Sequence, residues 1–182
     1  MTRTVLWLIA GAVLGGVIHL AVILSLPSLA ANAAWIKVDA LDALATPVVL
    51  PAVVAGEENP LRLDPEFAYA VCRLDLRNGA GIVRGMLPLA FWSVAVYGRT
   101  GTVLYSTTNR DGIGQNLELG IFNQAQTRLL AQQQLDVAEG LLIVESRDDD
   151  VFVVVRLAPP HQVMRKRYEA ALEALTCTNI AG

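Results

Sequence analysis

Charge is scarce in this chain of 182 residues. Asp, Glu, Lys and Arg make up 17% of it, against about 25% in an ordinary soluble domain. The net charge is −3, and no basic tract is longer than Arg165-Lys166-Arg167. That excludes the clustered cations a nucleic-acid surface needs to neutralise phosphates. Cysteine is scarcer still. Cys72 and Cys177 are too few for an all-cysteine zinc site, and His19 and His161 stand far from them along the chain, so no metal or cofactor is expected. There is no Gly-x-Ser-x-Gly, no phosphate loop and no His-Glu-x-x-His. A nucleophile–histidine pair would have to use His161, which follows Pro159-Pro160 and reads as an exposed residue at a helix start. No catalytic residue is assigned.

What the chain has in excess is apolar surface. It is 54% hydrophobic, with a mean hydropathy of +0.46, which excludes disorder and points to lipid. Thr4 to Ile36 contains no ionisable acid or base other than His19, and Val5 to Leu26 is almost wholly apolar. That run exceeds the ~20 residues that cross a hydrocarbon core, and Pro27 is expected to end the helix. A cleaved signal peptide is the competing reading, with Arg3 as its positive start and Ala31-Asn32-Ala33 as its small-x-small site. The apolar core is too long for that, so an uncleaved anchor over residues 1–29, contacting the bilayer through 4–28, is favoured. Arg3 precedes the run and Lys37 is the first base after it, so the positive-inside rule puts the N-terminus in the cytoplasm and the rest outside. Gly11 and Gly15 form a Gly-x-x-x-Gly pair through which two anchors could associate. His19, without an acidic partner in the span, reads as a neutral histidine.

Residues 30–47 read as a small, flexible linker, with Trp35 at the headgroup level. Residues 48–182 read as one mostly β, exported domain. Pro47, Pro51, Pro60 and Pro65 argue against a long helix at its start. In Phe67 to Leu76 the even positions Ala68, Ala70, Cys72, Leu74 and Leu76 form a core face. Asn78-Gly79 signals a hairpin into Ile82–Met86. Phe91–Tyr97 turns through Gly98 to Gly101 into Thr102–Thr107. Leu117–Phe122 is a further strand, and Leu141–Glu145 is expected to pair with Val151–Leu157 across Arg147 to Asp150. Three hairpins predict an antiparallel sandwich or jelly-roll-like domain, α+β once its helices are added. Those helices are Gln124–Leu135 and Gln162–Leu175. The second carries Met164, Tyr168, Ala171, Leu172 and Leu175 on one face, with Arg165 one turn before Glu169.

An exported domain with one pair of cysteines predicts a Cys72–Cys177 disulfide that pins the last helix to the sheet. Two buried free thiols are the alternative if the domain faces the cytoplasm. Trp92, Tyr97 and Tyr105 are candidates for a ligand groove, although Val94 and Val96 continue the face of Trp92 and core packing explains it as well. Asn109 and Arg110 stand in a polar loop where the guanidinium can bind a carboxylate or phosphate, or pair with Asp111 or Glu118. Asp148-Asp149-Asp150 reads as a solvated turn, since no glycine or distal glutamate completes a calcium loop.

Phe91-Trp92-Ser93-Val94-Ala95-Val96-Tyr97, then Gly101, Asn109-Arg110 and Ile113-Gly114, make a pattern W-S-x-x-x-Y-x-x-x-G…N-R…I-G. It resembles the paired domain-of-unknown-function families numbered 1254 and 1214. The segment Leu63 to Leu76 and the late Cys177 resemble the short, membrane-anchored bacterial branch of the first. Tyr97 is followed here by Gly98 where that pattern has Asp. The resemblance covers most of residues 1–178 and implies an N-terminal anchor and a jelly-roll-like domain, with no established activity. The resulting expectation is a single-pass bacterial inner-membrane protein whose periplasmic β domain binds a partner or small ligand without catalysis. The alternative is an envelope enzyme acting on a glycan through carboxylates that meet only in space.

Overall fold

The computed structural model describes residues 2–110, 115–133 and 141–180. Helix α1 runs over Thr2–Asp39, about 57 Å at 1.5 Å per residue. Its Thr2–Pro27 portion is long and apolar enough to span a membrane, with a mean hydropathy of 2.3. Two expectations change here. Pro27 lies inside the helix and does not end it, and residues 30–39 are helical, not a flexible linker. Proline removes a single backbone bond, a loss that membrane helices tolerate. Beyond it the helix is held by tertiary contacts. Trp35 packs on Phe152 with ring centroids 6.0 Å apart, Val38 is buried, and Asp39 pairs with Arg73. Trp35 therefore lies against the β domain, where the sequence suggested the lipid headgroups.

The domain consists of two sheets. The five-stranded sheet takes the order β1 (Val48–Val49), β2 (Ala68–Asp75), β8 (Asp150–Leu157), β4 (Trp92–Gly98), β5 (Val103–Thr108) and is antiparallel throughout. The four-stranded sheet takes the order β7 (Leu142–Ser146), β6 (Asn116–Asn123), β3 (Ala80–Met86), β9 (Thr176–Ile180). In it β6 and β7 run parallel. Helix α2 (Gln124–Gln133) joins β6 to β7, and α3 (Arg165–Glu173) precedes β9. The sequence-predicted end of α2, residues 134–135, lies outside the described residues.

The sandwich-like α+β architecture matches expectation, but only one of the three hairpins does. That one is β4–β5, with Gly101 at φ 76° in its turn. Asn78-Gly79 does not reverse β2 onto β3. A 3-10 turn over Leu76–Asn78 carries the chain to the opposite sheet, where β3 pairs with β6 and β9. Likewise β7 and β8 belong to different sheets. Asp148, between those two strands, donates its backbone N–H to Ser146 Oγ and accepts from the Ser146 hydroxyl at its own carbonyl. Beside β2, β8 occupies the place expected for β3, and β7 pairs with β6 instead of β8. Strand β8 pairs with β2 on one side and β4 on the other over their full lengths. Strand β9 was not anticipated; the last helix, expected to run to Leu175, stops at Glu173, and Cys177 just beyond it is drawn into the sheet beside Val83.

Between the sheets the core is aliphatic. Leu74, Leu76, Val94, Val96, Leu117, Leu119, Ile121, Val153 and Leu157 are all buried, joined by Trp92 and by Tyr168, Leu172 and Leu175 from the last helix and its end. The even face of β2 points inward as its alternation required. Cys72 and Cys177 are bonded, with Cα atoms 6.6 Å apart, tying β2 of one sheet to β9 of the other. Arg165 and Glu169 pair at 2.9 Å.

Candidate functional site

The outer face of the five-stranded sheet is where the surface becomes concave. The strand register lays three rows across it. Tyr69, Arg156 and Ser93 form one, Val71, Val154 and Ala95 the next, and Arg73, Phe152 and Tyr97 the third. A second apolar cluster covers part of these rows, with Val38 and Trp35 from the end of α1 and Leu50, Leu61 and Leu63 from the chain that follows β1. Residues 50–67 thus form a strap across the sheet. One end is held by Leu50 N–H donating to Tyr69 O at 2.9 Å. The other is held by the Arg165 guanidinium, which donates to the carbonyls of Pro65 and Phe67, each at 2.8 Å.

The strap, the end of α1 and the sheet enclose a cleft of about 710 Å³, within the range of small-molecule sites. Its floor is Tyr69, Val71, Tyr97, Phe152 and Val154. Tyr97 and Phe152 stack nearly parallel, 7° apart with centroids at 4.9 Å, which gives the floor a flat aromatic tile. Lys37, Arg62 and Arg156 also line it, and among the described residues no carboxylate does. Lys37 Nζ donates to Pro60 O at 2.7 Å and Arg156 Nε to Ser93 Oγ at 2.9 Å. These bonds orient the two side chains without neutralising them.

Arg62 sits in the left-handed region at φ 53°, which costs a non-glycine residue energy unless its surroundings impose it. Asn59 imposes it. Its Nδ2 donates to Leu63 O at 2.7 Å, its Oδ1 accepts from Leu63 N–H at 2.8 Å, and its carbonyl accepts from Arg62 N–H at 3.0 Å.

The residues singled out in the sequence are not gathered here. Tyr97 lines the cleft, but Trp92 is 1% exposed and points into the core from the opposite face. Trp92 and Asn109 share a separate depression of about 410 Å³, beside Pro88 to Phe91 and Gln115. There Asn109 Oδ1 is buried without a hydrogen-bond partner among the described residues. Arg110 is exposed and lines neither hollow, and its backbone N–H donates to Thr108 Oγ1 at 3.3 Å. Glu118, one suggested partner, pairs with Arg84 at 2.8 Å instead. The other, Asp111, and Ile113-Gly114 of the motif lie outside the described residues. Tyr105 packs against the core.

His161 is exposed, as read. Asp148 to Asp150 are tied to cations and amides. Asp148 Oδ2 accepts from Arg99 N–H, Asp149 Oδ1 from Asn123, and Asp150 faces Arg77 and Arg99. Among the described residues no group of His, Cys, Asp and Glu side chains is arranged to hold a metal ion.

Lys37, Arg62 and Arg156 were missed because they come from the end of α1, the strap and β8. A signal was nevertheless present. Phe67-Ala68-Tyr69-Ala70-Val71 and Val151-Phe152-Val153-Val154-Val155 are apolar at both parities, which marks strands covered on both faces.

No family model matches the chain, and no curated protein does. Among solved structures, a protein of Vibrio parahaemolyticus is similar at a TM-score of 0.52 and 11% identity, over 65% of this chain and 29% of that one. An uncharacterised protein of Burkholderia cenocepacia is similar at a TM-score of 0.47 and 15% identity, over 86% of this chain and 41% of that one. The chain therefore spans less than half the length of either. The first likeness supports the two-sheet fold and nothing beyond it.

Proposed function

We propose that the chain is a single-pass bacterial inner-membrane protein whose periplasmic domain binds a small ligand or partner without transforming it. The observation that carries this reading is the cleft, an aromatic and aliphatic hollow built at the junction of anchor and domain and supplied with cations. Binding needs no more than that, whereas turnover needs a positioned acid, base or nucleophile. Export is supported by the Cys72–Cys177 disulfide, since such bonds persist in oxidising compartments, and by the apolar helix at the N-terminus. The resemblance to the short anchored branch of families 1254 and 1214 belongs to the same reading. So does self-association through Gly11 and Gly15, around which nothing crowds among the described residues. The glycan-acting alternative draws no support from a cleft that no carboxylate lines among the described residues.

Fusions to the C-terminus test the topology. Alkaline phosphatase at that end is expected to be active and a fluorescent protein that matures only in the cytoplasm to be dark. The reverse pattern, or two alkylatable thiols in the native membrane protein, overturns the reading.

A further inference from the structure

We propose that the cleft holds an anionic amphiphile, a single acyl chain on the aromatic floor with its carboxylate or phosphate among Lys37, Arg62 and Arg156. This rests on the ligand-binding reading above and narrows it to a chemical class. The two halves of the lining make the case. Tyr97, Phe152 and Val154 give one side of the lining an aromatic and aliphatic character, suited to a hydrocarbon chain because its burial is non-directional. The three cations come from separate elements yet border one hollow without a carboxylate among them. An anion relieves their mutual repulsion, and guanidinium forks match carboxylate and phosphate oxygens.

Two further observations fit. The strap holds Arg62 in a left-handed conformation by bonding around Asn59, so this cation is placed before any ligand arrives. The helix is continuous from Pro27 to Lys37. At 1.5 Å per residue that puts the cationic border about 15 Å along the helix from the end of the span, within reach of lipid released from the bilayer. A neutral peptide or a glycan would leave the cations uncompensated.

The test uses the whole chain in phosphatidylcholine nanodiscs, with three photoactivatable probes of equal chain length: a fatty acid, a lysophosphatidic acid and a neutral monoacylglycerol. Cross-linked peptides are mapped by mass spectrometry. At least one anionic probe is expected to label residues 50–71 and 152–156 about tenfold more than the neutral probe, the ratio expected when one charge-assisted contact is lost. Comparison of the two anions identifies the head group. Arg62→Glu, an exposed change that does not endanger folding, and the pair Arg62→Ala with Arg156→Gln should each abolish that preference while the disulfide stays intact. Labelling of the cleft equally by the neutral probe, or labelling that ignores Arg62→Glu, overturns the anionic class and leaves a ligand-binding domain standing. No labelling of the cleft by any probe overturns the inference outright, whereas the broader reading falls with the topology fusions or the thiol test.

Discussion

The two faces of the five-stranded sheet are made from the same strands and differ in almost every other respect. The inner face is aliphatic, meets a second sheet, and is closed by a disulfide and the last helix. The outer face mixes Tyr69, Tyr97 and Phe152 with Arg73 and Arg156, and is covered only in part by one helix end and a strap. A filled interface stabilises the fold. A half-covered one leaves a cleft, and its aromatic–cation composition resembles a recognition surface more than a core. Under the proposed function, stability and binding divide between odd and even positions of single strands. Cys72 belongs to one function and Val71 to the other.

Two tryptophans break the comparison most directly. Trp92 is sealed between the sheets, so Trp92→Ala should lower unfolding free energy by about 3–5 kcal/mol through lost burial and a cavity. Denaturant titration measures this, and a loss below ~1 kcal/mol would show that Trp92 is not part of the core. Removing the covalent tie with Cys72→Ala and Cys177→Ala should cost about 2–4 kcal/mol, from a loop-closure constraint on the unfolded chain. Reduction of the native protein should reproduce that loss, and protection of β9 amides from hydrogen exchange should fall first.

On the outer face, Trp35→Ala should cost about 1–2 kcal/mol at most, because Trp35 is half-exposed and packs on one layer. Its signature is local. Exchange should rise in residues 35–63 while the inner strands stay protected. A uniform loss of protection would mean that the two faces unfold as one unit.

The smallest effect is expected where the chain passes from one sheet to the other. The Arg77 guanidinium, bonded to both oxygens of Asp75 at 2.8 Å, holds that carboxyl below its ordinary 3.8. A depressed carboxyl stabilises the fold above its ordinary pKa, and the contribution is lost as pH falls through the folded value. Asp75→Asn should thus lower Tm slightly near neutral pH and make no difference in strong acid. A gap that widens on acidification would reverse the assignment.

Much of this was legible before any coordinates. The apolar helix, the positions of β2, β4, β5, β6, β7 and β8, the inward face of β2 and the disulfide all follow from hydropathy, two-residue alternation and cysteine count. Even the separation of Trp92 from Tyr97 was implicit, since residues five apart on one strand face opposite ways. Pairing was not legible. Alternation says which side of a strand is buried and nothing about which strand lies beside it, and a turn signal such as Asn78-Gly79 reports a local bend without its destination. Strand β8, more than seventy residues beyond β2, took the place expected for β3 and left β7 to the other sheet because it matches β2 and β4 along their whole lengths.

The same limit hid the site. Sequence by itself determined that the chain carries an apolar helix of membrane-spanning length, is β-rich and is cross-linked, because those properties depend on composition and short-range period. Only the tertiary structure decided that α1 continues past Pro27 to dock through Trp35 and Val38. Only it decided that Lys37, Arg62 and Arg156 border one cleft, because their proximity comes from strand order and strap closure, long-range contacts that leave no period in the chain.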